Sequence, residues 1–387
     1  MVICGMGNLS SGKNAPDARI RIAFILWTLS GMGGSEKVVY DLARKLNPIV
    51  YNVVIVSFSD GPVRKLYEEF GATVYAVPKG PGFDLSLVSA LRRILLEEEI
   101  DVVNAHHFGP LLYSHLSTIG LKAKLVYTEH SKWQLEQLPL FLKLLNRLML
   151  SRTQAVVAIS KQIEQYYLHR LLIKKKCVHF IANGIDAPFF RGRDGRYLRQ
   201  SLGIGEREKV VGVIANLRPE KNHKLLISAF SEVVRSMEDI RLILVGLDCM
   251  DGELQKIAAQ SHASDKILFL GSRQDVPELL GIFDVFCLPS THEGLPLTVL
   301  EAMAAGVPVV GSDVMGINEV VTHDVNGLLF PSNDERALAD VLLRLLRDKD
   351  LQSRLARAGE AFVTEHFSLD EKVDAYDKLF HYVYQLA

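Results

Sequence analysis

Two successive runs of short β-type segments, alternating with helical periodicity, constrain this chain more than any other feature. From Arg19 onward, apolar runs lie at residues 20–26, 52–58, 73–77, 102–105, 124–128 and 155–159. Helical spacing of apolar residues falls between several of them, at 36–46, 85–98 and 138–150. The grammar restarts at 210–214 and continues through 241–245, 267–270, 285–288 and 307–311, with helical patterns at 225–236, 252–260, 276–282, 298–305 and 335–348. Strands separated by helices imply parallel sheets covered on both faces. At 387 residues the chain exceeds one ordinary core. Residues 183–205 carry Gly184, Gly192, Gly195, Gly203 and Gly205 and read as a turn-rich boundary. The sequence therefore predicts an α/β protein of two doubly wound domains facing across a cleft. Residues 19–190 form the first, 191–205 the linker and 206–365 the second, with residues 366–387 as a terminal segment. Residues 1–18 are rich in Gly, Ser and Asn, lack the basic-then-apolar order of a signal peptide, and read as a flexible lead-in.

Composition removes several functions. A formal net charge of −1 gives no basic field to attract nucleic acid. Four cysteines, none in CxxC spacing, fit a reducing compartment and argue against a disulfide framework or zinc site. Cys249 and Cys287 read as buried, inert thiols. No run of eighteen apolar residues exists, so no membrane-spanning helix is expected.

In doubly wound sheets ligands bind beyond the carboxyl ends of the strands, and residues 291–306 are the strongest candidate there. A Gly/Pro loop leads into a short, mostly apolar helix that Gly306 ends. The free N–H groups at its start suit a phosphate. Glu301 stands one turn inside, and at roughly 1.5 Å rise per residue it stays within reach of a ligand on the helix end. A carboxylate on a buried apolar helix is costly unless something bonds to it. Either a vicinal diol such as a ribose donates to it, or it pairs with a nearby Lys or Arg. Glu293, in the preceding loop, either meets a second polyol or is solvated.

Glu293 and Glu301 form an E-x7-E pattern inside E-G-L-P-L-x-x-L-E-A-M-A-A-G-x-P-V-V. The chain also carries Gly33-Gly34 with Glu36, Asn183-Gly184-Ile185-Asp186, Leu270-Gly271, Gly316 with Glu319, and Asn326-Gly327-Leu328-Leu329. This ordered set resembles the retaining glycosyltransferases of family 4, which have the GT-B architecture of two Rossmann-like domains. The resemblance covers nearly the whole chain from Arg19. It implies that Glu301 binds the donor ribose and Glu293 the hydroxyls of the transferred sugar. Backbone near Gly294, Leu297 and Thr298 would meet the diphosphate. The Gly33-Gly34 turn would approach it from the acceptor-side domain, and backbone at Gly271 and Arg273 would meet the base. The last helix, 369–386, would pack back on the first domain.

Fixed cations are expected to answer the charge that develops on a leaving phosphate. Residues 215–222, Ala-Asn-Leu-Arg-Pro-Glu-Lys-Asn, resemble the family's phosphate-binding G-R-L-x-x-x-K-G element. Leu217 and Lys221 match, whereas Asn216 stands where an arginine is usual. Arg218 is expected to supply the missing guanidinium; otherwise Lys221 acts alone. His130, in Thr128-Glu129-His130-Ser131, resembles the family histidine that meets the transferred sugar and leaving phosphate. His130, Glu293 and Lys221 are thus the catalytic candidates. His106 resembles a second cleft position facing the acceptor, and His107 reads as a structural hydrogen bonder. No histidine has metal-ligand partners at sensible spacing, and Asp248 and Asp251 are wrongly spaced for D-x-D. No cofactor and no metal is expected.

The resemblance implies a metal-independent transfer with retention from a nucleotide-diphosphate sugar, UDP favoured over GDP. The acceptor would be a glycan or lipid-linked molecule in cell-surface polysaccharide or glycolipid synthesis. A GT-B epimerase and a non-catalytic nucleotide-sugar binder are the alternatives. Residues 133–152 mix Leu, aromatic and basic residues, with Lys174-Lys175-Lys176 downstream. They form either a surface for anionic lipid or an ordinary core-facing helix. A cytoplasmic protein is expected, at the inner face of the membrane in the first case.

Overall fold

The computed structural model describes residues 19–31 and 33–386. The lead-in expected at 1–18 lies outside the described residues, as does Met32 of the first glycine loop. Seven strands build the first sheet: β1 (Ile20–Leu26), β2 (Tyr51–Ser57), β3 (Thr73–Ala76), β4 (Val102–His106), β5 (Lys124–Glu129), β6 (Ala155–Ala158) and β7 (Val178–Phe180). Six build the second: β8 (Lys209–Ile214), β9 (Ile240–Val245), β10 (Ile267–Phe269), β11 (Val285–Leu288), β12 (Val309–Ser312) and β13 (Leu328–Phe330). Every pairing is parallel, with Ile22 opposite both Val53 and Val102, and Val211 opposite both Leu242 and Val285. The central strands are buried on both faces, in keeping with their predominantly apolar sequences.

The strand orders are β3-β2-β1-β4-β5-β6-β7 and β10-β9-β8-β11-β12-β13. Each reverses direction once, between β1 and β4 in the first sheet and between β8 and β11 in the second. Those switch points open the crevices in which doubly wound folds bind ligands. The loops after β1, β8 and β11 hold Gly33, Lys221 and Glu293, and His106 is the last residue of β4.

The last helix, Leu369–Gln385, returns from the second half and lays Tyr376, Leu379, Phe380 and Val383 into one apolar cluster with Ile22, Phe24 and Ile55 of the first sheet. A fully buried Phe such as Phe380 contributes about 1.5–3 kcal/mol by leaving water. The helix therefore belongs energetically to the first domain. The chain crosses between the halves twice, and the crossings are bonded. Ile185 N–H donates to Phe367 O at 2.9 Å, and Leu369 N–H donates back to Ile185 O at 3.1 Å.

Several elements differ from the sequence expectation. The stretch 183–205 is not a loose connector: it forms helices Ala187–Phe190 and Arg196–Ser201, with Phe190 buried. β7 and β13 have three residues each, too few to show a period. β12 begins at Val309 rather than 307, because Pro308 has no N–H to give a ladder. Helix Phe108–Ser117 was hidden by Gly109 and Pro110, yet Pro is tolerated in a first turn. Helix Lys349–His366 follows directly on Glu335–Arg347, with the Asp348 carboxylate capping it through Leu351 N–H at 2.8 Å. Cys287 is buried, and burial pushes its thiol up. Cys249 is exposed, contrary to expectation, on the loop after β9. Among the described residues no helix is long and apolar enough to cross a membrane.

Candidate active site

The loop after β11 and the helix Leu297–Ala304 form the floor of the second-domain crevice. Pro296 caps the helix with extended backbone, and the first-turn N–H groups of Leu297 and Thr298 have no intrahelical acceptor. Glu301 is 3% exposed. Its Oε1 has no hydrogen-bond partner, and the nearest cation is Lys37 Nζ of the opposite domain at 3.7 Å, an ion-pair distance too long for a hydrogen bond. Burial pushes the Glu301 carboxyl up, and Lys37 pulls it back down only in part. For Lys37, burial favours the neutral form, but Glu301 and Asp41 outweigh it and hold its pKa above the ordinary lysine value. Of the two sequence readings of Glu301, the structure shows the lysine beside it, with Oε1 left without a hydrogen bond.

Glu293 is held from both sides. Its Oε1 accepts from Lys221 Nζ at 2.6 Å and from Ser290 Oγ at 2.6 Å. The pair joins the loops after β8 and β11, which are also tied by Thr291 N–H to Glu220 O at 2.8 Å. Arg218 is exposed and makes no ion pair with a described residue, so its guanidinium is free to meet an anion. Asn216 has a different task. Its Oδ1 accepts from Leu247 N–H at 3.1 Å and fixes the β9 loop against the β8 loop. Gly271 adopts φ +63°, and its carbonyl accepts from Gly246 N–H at 2.9 Å. The Arg273 side chain pairs with Asp275, with contacts of 2.8 and 2.5 Å from its Nε and one terminal nitrogen. Asp248 accepts from Met250 and Gly252 N–H groups at 2.8 and 2.9 Å, a turn-forming role rather than a metal-binding one.

Across the seam, Gly33 caps the helix Gly34–Lys45, and the Glu36 side chain folds over the space beside its Cα. His130 follows β5. Its Nε2 lies 2.8 Å from His106 Nδ1, and burial keeps both rings well below the usual histidine pKa. His106 is fully buried against Phe24 and His130, so it does not present itself to an acceptor as expected. His107 bonds Glu129 at 3.2 Å. Burial alone would depress it, but Glu129 outweighs burial and raises it. Glu129 itself is wholly buried and also accepts from Tyr127 OH and from the N–H groups of His130 and Ser131 at 2.7 and 2.9 Å. It anchors the histidine loop.

The domains meet at the site. A Cβ at Gly294 would overlap the His130 carbonyl oxygen, so only glycine allows this approach. Gly316, at φ +85°, packs against the carbonyls of Glu293 and Gly294. Glu319 Oε2 accepts from Lys161 N–H at 3.1 Å and caps a first-domain helix from the second domain. The rings of Trp133 and His292 lie 4.9 Å apart across the same seam.

The family described as Glycosyltransferase Family 4 matches residues 32–188, and that described as Glycosyl transferases group 1 matches residues 196–362. N-acetyl-alpha-D-glucosaminyl L-malate synthase of Bacillus anthracis is 30% identical over 362 residues, 90% of this chain and 94% of the relative. The chain belongs to glycosyltransferase family 4 and has the GT-B fold. The Escherichia coli UDP-Gal:alpha-D-GlcNAc-diphosphoundecaprenol alpha-1,3-galactosyltransferase is 25% identical over 312 residues, 77% of this chain and 79% of that one. The crystal structure of Anabaena HepE with UDP and glucose superposes with a TM-score of 0.84 at 24% identity, covering 94% of this chain and 100% of that one.

In this glycosyltransferase the crevice thus gathers Glu293, Glu301, Lys221, Leu297 and Thr298 from the second domain, with Gly33, Lys37 and His130 facing them. Sequence reasoning missed three residues. Lys37 gave no signal beyond a helical position. Glu129 stands next to His130 but was read only as its neighbour. Glu319 was noted as part of a motif without its interdomain bond.

Proposed function

We propose that this glycosyltransferase moves a sugar from a nucleotide-diphosphate donor, UDP in preference to GDP, to an acceptor hydroxyl with net retention and without a metal ion. The observation that carries the reading is the buried Glu301 oxygen left without a hydrogen bond beside a helix start. A ribose diol donates to that carboxylate. The diphosphate lies on the amides of Leu297 and Thr298, between Lys221 and Arg218. Glu293 accepts from hydroxyls of the transferred sugar, and Lys221 shares its charge between Glu293 and the phosphate. The Gly33-Gly34 turn, Gly271 and the Arg273 backbone complete the donor site.

In the step, the acceptor oxygen bonds to the anomeric carbon on the face the diphosphate leaves. The bond from that carbon to the phosphate oxygen breaks, and the acceptor proton passes to the departing phosphate. Cationic side chains stabilise the leaving charge. Retention of anomeric configuration, read by NMR on the product, supports this course; inversion contradicts it. Turnover undiminished by a chelator supports metal independence. Release of nucleoside diphosphate only when acceptor is present separates a transferase from an epimerase or a non-catalytic binder.

The acceptor is proposed to be a glycan or lipid-linked molecule used in cell-surface polysaccharide or glycolipid synthesis, reached at the inner face of the membrane. The support is the helix Leu140–Leu150. Leu140, Phe141, Leu144 and Leu148 are all exposed on one face, 74%, 67%, 59% and 51% respectively. Lys143 and Arg147 flank them, and no acidic residue occurs between Glu136 and Glu164. Such a face suits an anionic lipid surface. The malate synthase named above motivates a second reading, a small hydroxy acid as acceptor. L-malate therefore belongs in any acceptor panel.

A further inference from the structure

We infer that His106 is a positioning residue that fixes the tautomer of His130, so that His130 meets the donor with an N–H at Nδ1 and never with a lone pair. This inference rests on the proposed donor site, which His130 faces across the crevice.

The two rings share one contact, His106 Nδ1 to His130 Nε2 at 2.8 Å. That distance is a hydrogen bond, so one of the two nitrogens carries the proton and the other accepts it. Burial, together with His107 and Lys372, holds both rings neutral near pH 7. Two neutral arrangements then exist. If His130 Nε2 donates, the proton of His106 sits on its own Nε2. That nitrogen is buried and has no hydrogen-bond partner. It would be an orphaned donor, the rarer and costlier defect in a protein interior.

If His106 Nδ1 donates, the buried Nε2 is only a lone pair. This arrangement leaves no buried N–H unpaired. It follows that His130 Nε2 is the acceptor and His130 Nδ1 carries the proton. Nδ1 has no partner among the described residues and is not sealed from solvent as the buried unpaired atoms are. Glu129 holds the backbone at this position by accepting from the His130 backbone N–H at 2.7 Å.

The consequence is chemical. A neutral imidazole held as a donor can hydrogen-bond a sugar oxygen or the leaving phosphate. It cannot accept the acceptor's proton, because its open nitrogen has none of the required electron pairs. His106 thus keeps the proton route through the departing phosphate, without touching substrate.

The experiment is long-range proton–nitrogen NMR on protein carrying 15N-labelled histidine, near pH 7.5, assigned with His106→Gln and His106→Phe. In wild type, both rings are expected to show a protonated Nδ1 and a bare Nε2. In His106→Gln the amide still donates to His130 Nε2 and its tautomer is retained. In His106→Phe the lock is lost and the His130 signals move toward the Nε2–H form, with kcat down about tenfold or more and donor KM little changed. A bare Nδ1 on His130 in wild type overturns the inference, and so does an unchanged His130 tautomer in His106→Phe. If His106→Phe does not fold, the wild-type and His106→Gln spectra still decide. Absence of any sugar transfer with the expected tautomer present would contradict the proposed function, not the lock.

Discussion

Lys37 Nζ, on the first helix of the N-terminal domain, stands 3.7 Å from Oε1 of Glu301 in the opposite domain. The same ammonium donates to Asp41 Oδ2 at 3.1 Å. The crevice is therefore held partly by a charge pair at the proposed donor site. Removing one partner of a fully buried pair typically costs ~3–5 kcal/mol. The Lys37 side chain keeps 28% exposure, so water screens part of the loss, and Lys37→Met should cost about 1–2 kcal/mol. Denaturant midpoints of the variant measure this. Glu301→Gln in the same background should recover part of the loss, because the buried charge is then gone.

Gly294 decides how closely the domains approach. Gly294→Ala places a methyl on the His130 carbonyl oxygen, so the domains must separate to accommodate it. We expect kcat/KM to fall about tenfold or more, a loss of ~1.4 kcal/mol of transition-state stabilisation. The single-site kinetics of Gly294→Ala check this.

These first two sites show what the sequence could and could not disclose. The alternation of apolar runs with helical spacing disclosed both sheets, because buried parallel strands need continuous Val, Ile and Leu. Glu293 and Glu301 were legible because carboxylates on a buried helix and its loop stand out chemically. Lys37, by contrast, reads as an ordinary helical lysine; only the approach of the two domains brings it to Glu301. His106 is similar. A histidine at a strand end signals function, but whether its ring faces solvent or another histidine depends on β4 and β5 lying side by side. Asn216 was read as a gap in a phosphate element, whereas its bond to the Leu247 N–H gives it a structural role.

Lys372 should make stability depend on pH. It is buried on the last helix, donates to Val38 O at 3.1 Å, and burial pulls its pKa down to about 7. The unfolded chain binds this proton up to about pH 10.4. Between about 7 and 10.4 the unfolded state binds more protons, so stability rises with pH across that window. We expect a gain on the order of 2–4 kcal/mol from pH 7 to 9.5, relative to Lys372→Met. Denaturation of both proteins at the two pH values tests it; parallel behaviour would contradict it.

The exposed face of helix Leu140–Leu150 should be dispensable for folding and needed for lipid. Leu144→Glu with Leu148→Glu should leave stability within about 0.5 kcal/mol, since both positions are exposed. Co-sedimentation with vesicles rich in phosphatidylglycerol should fall about tenfold or more. Equal sedimentation of variant and wild type would remove the membrane proposal while leaving the donor site intact.

Calorimetry decides whether the buried Glu301 carboxylate receives the donor's ribose. Titrate UDP, or GDP if it binds more tightly, and its 2′,3′-dideoxy analogue into wild type and Glu301→Ala. A hydrogen bond to a charged group is worth about 1.5–3 kcal/mol, so wild type should prefer the ribose form by roughly ten- to hundredfold. Glu301→Ala should bind both weakly and nearly equally. Equal binding of the two nucleotides by wild type, or a preference that survives in Glu301→Ala, would contradict the account.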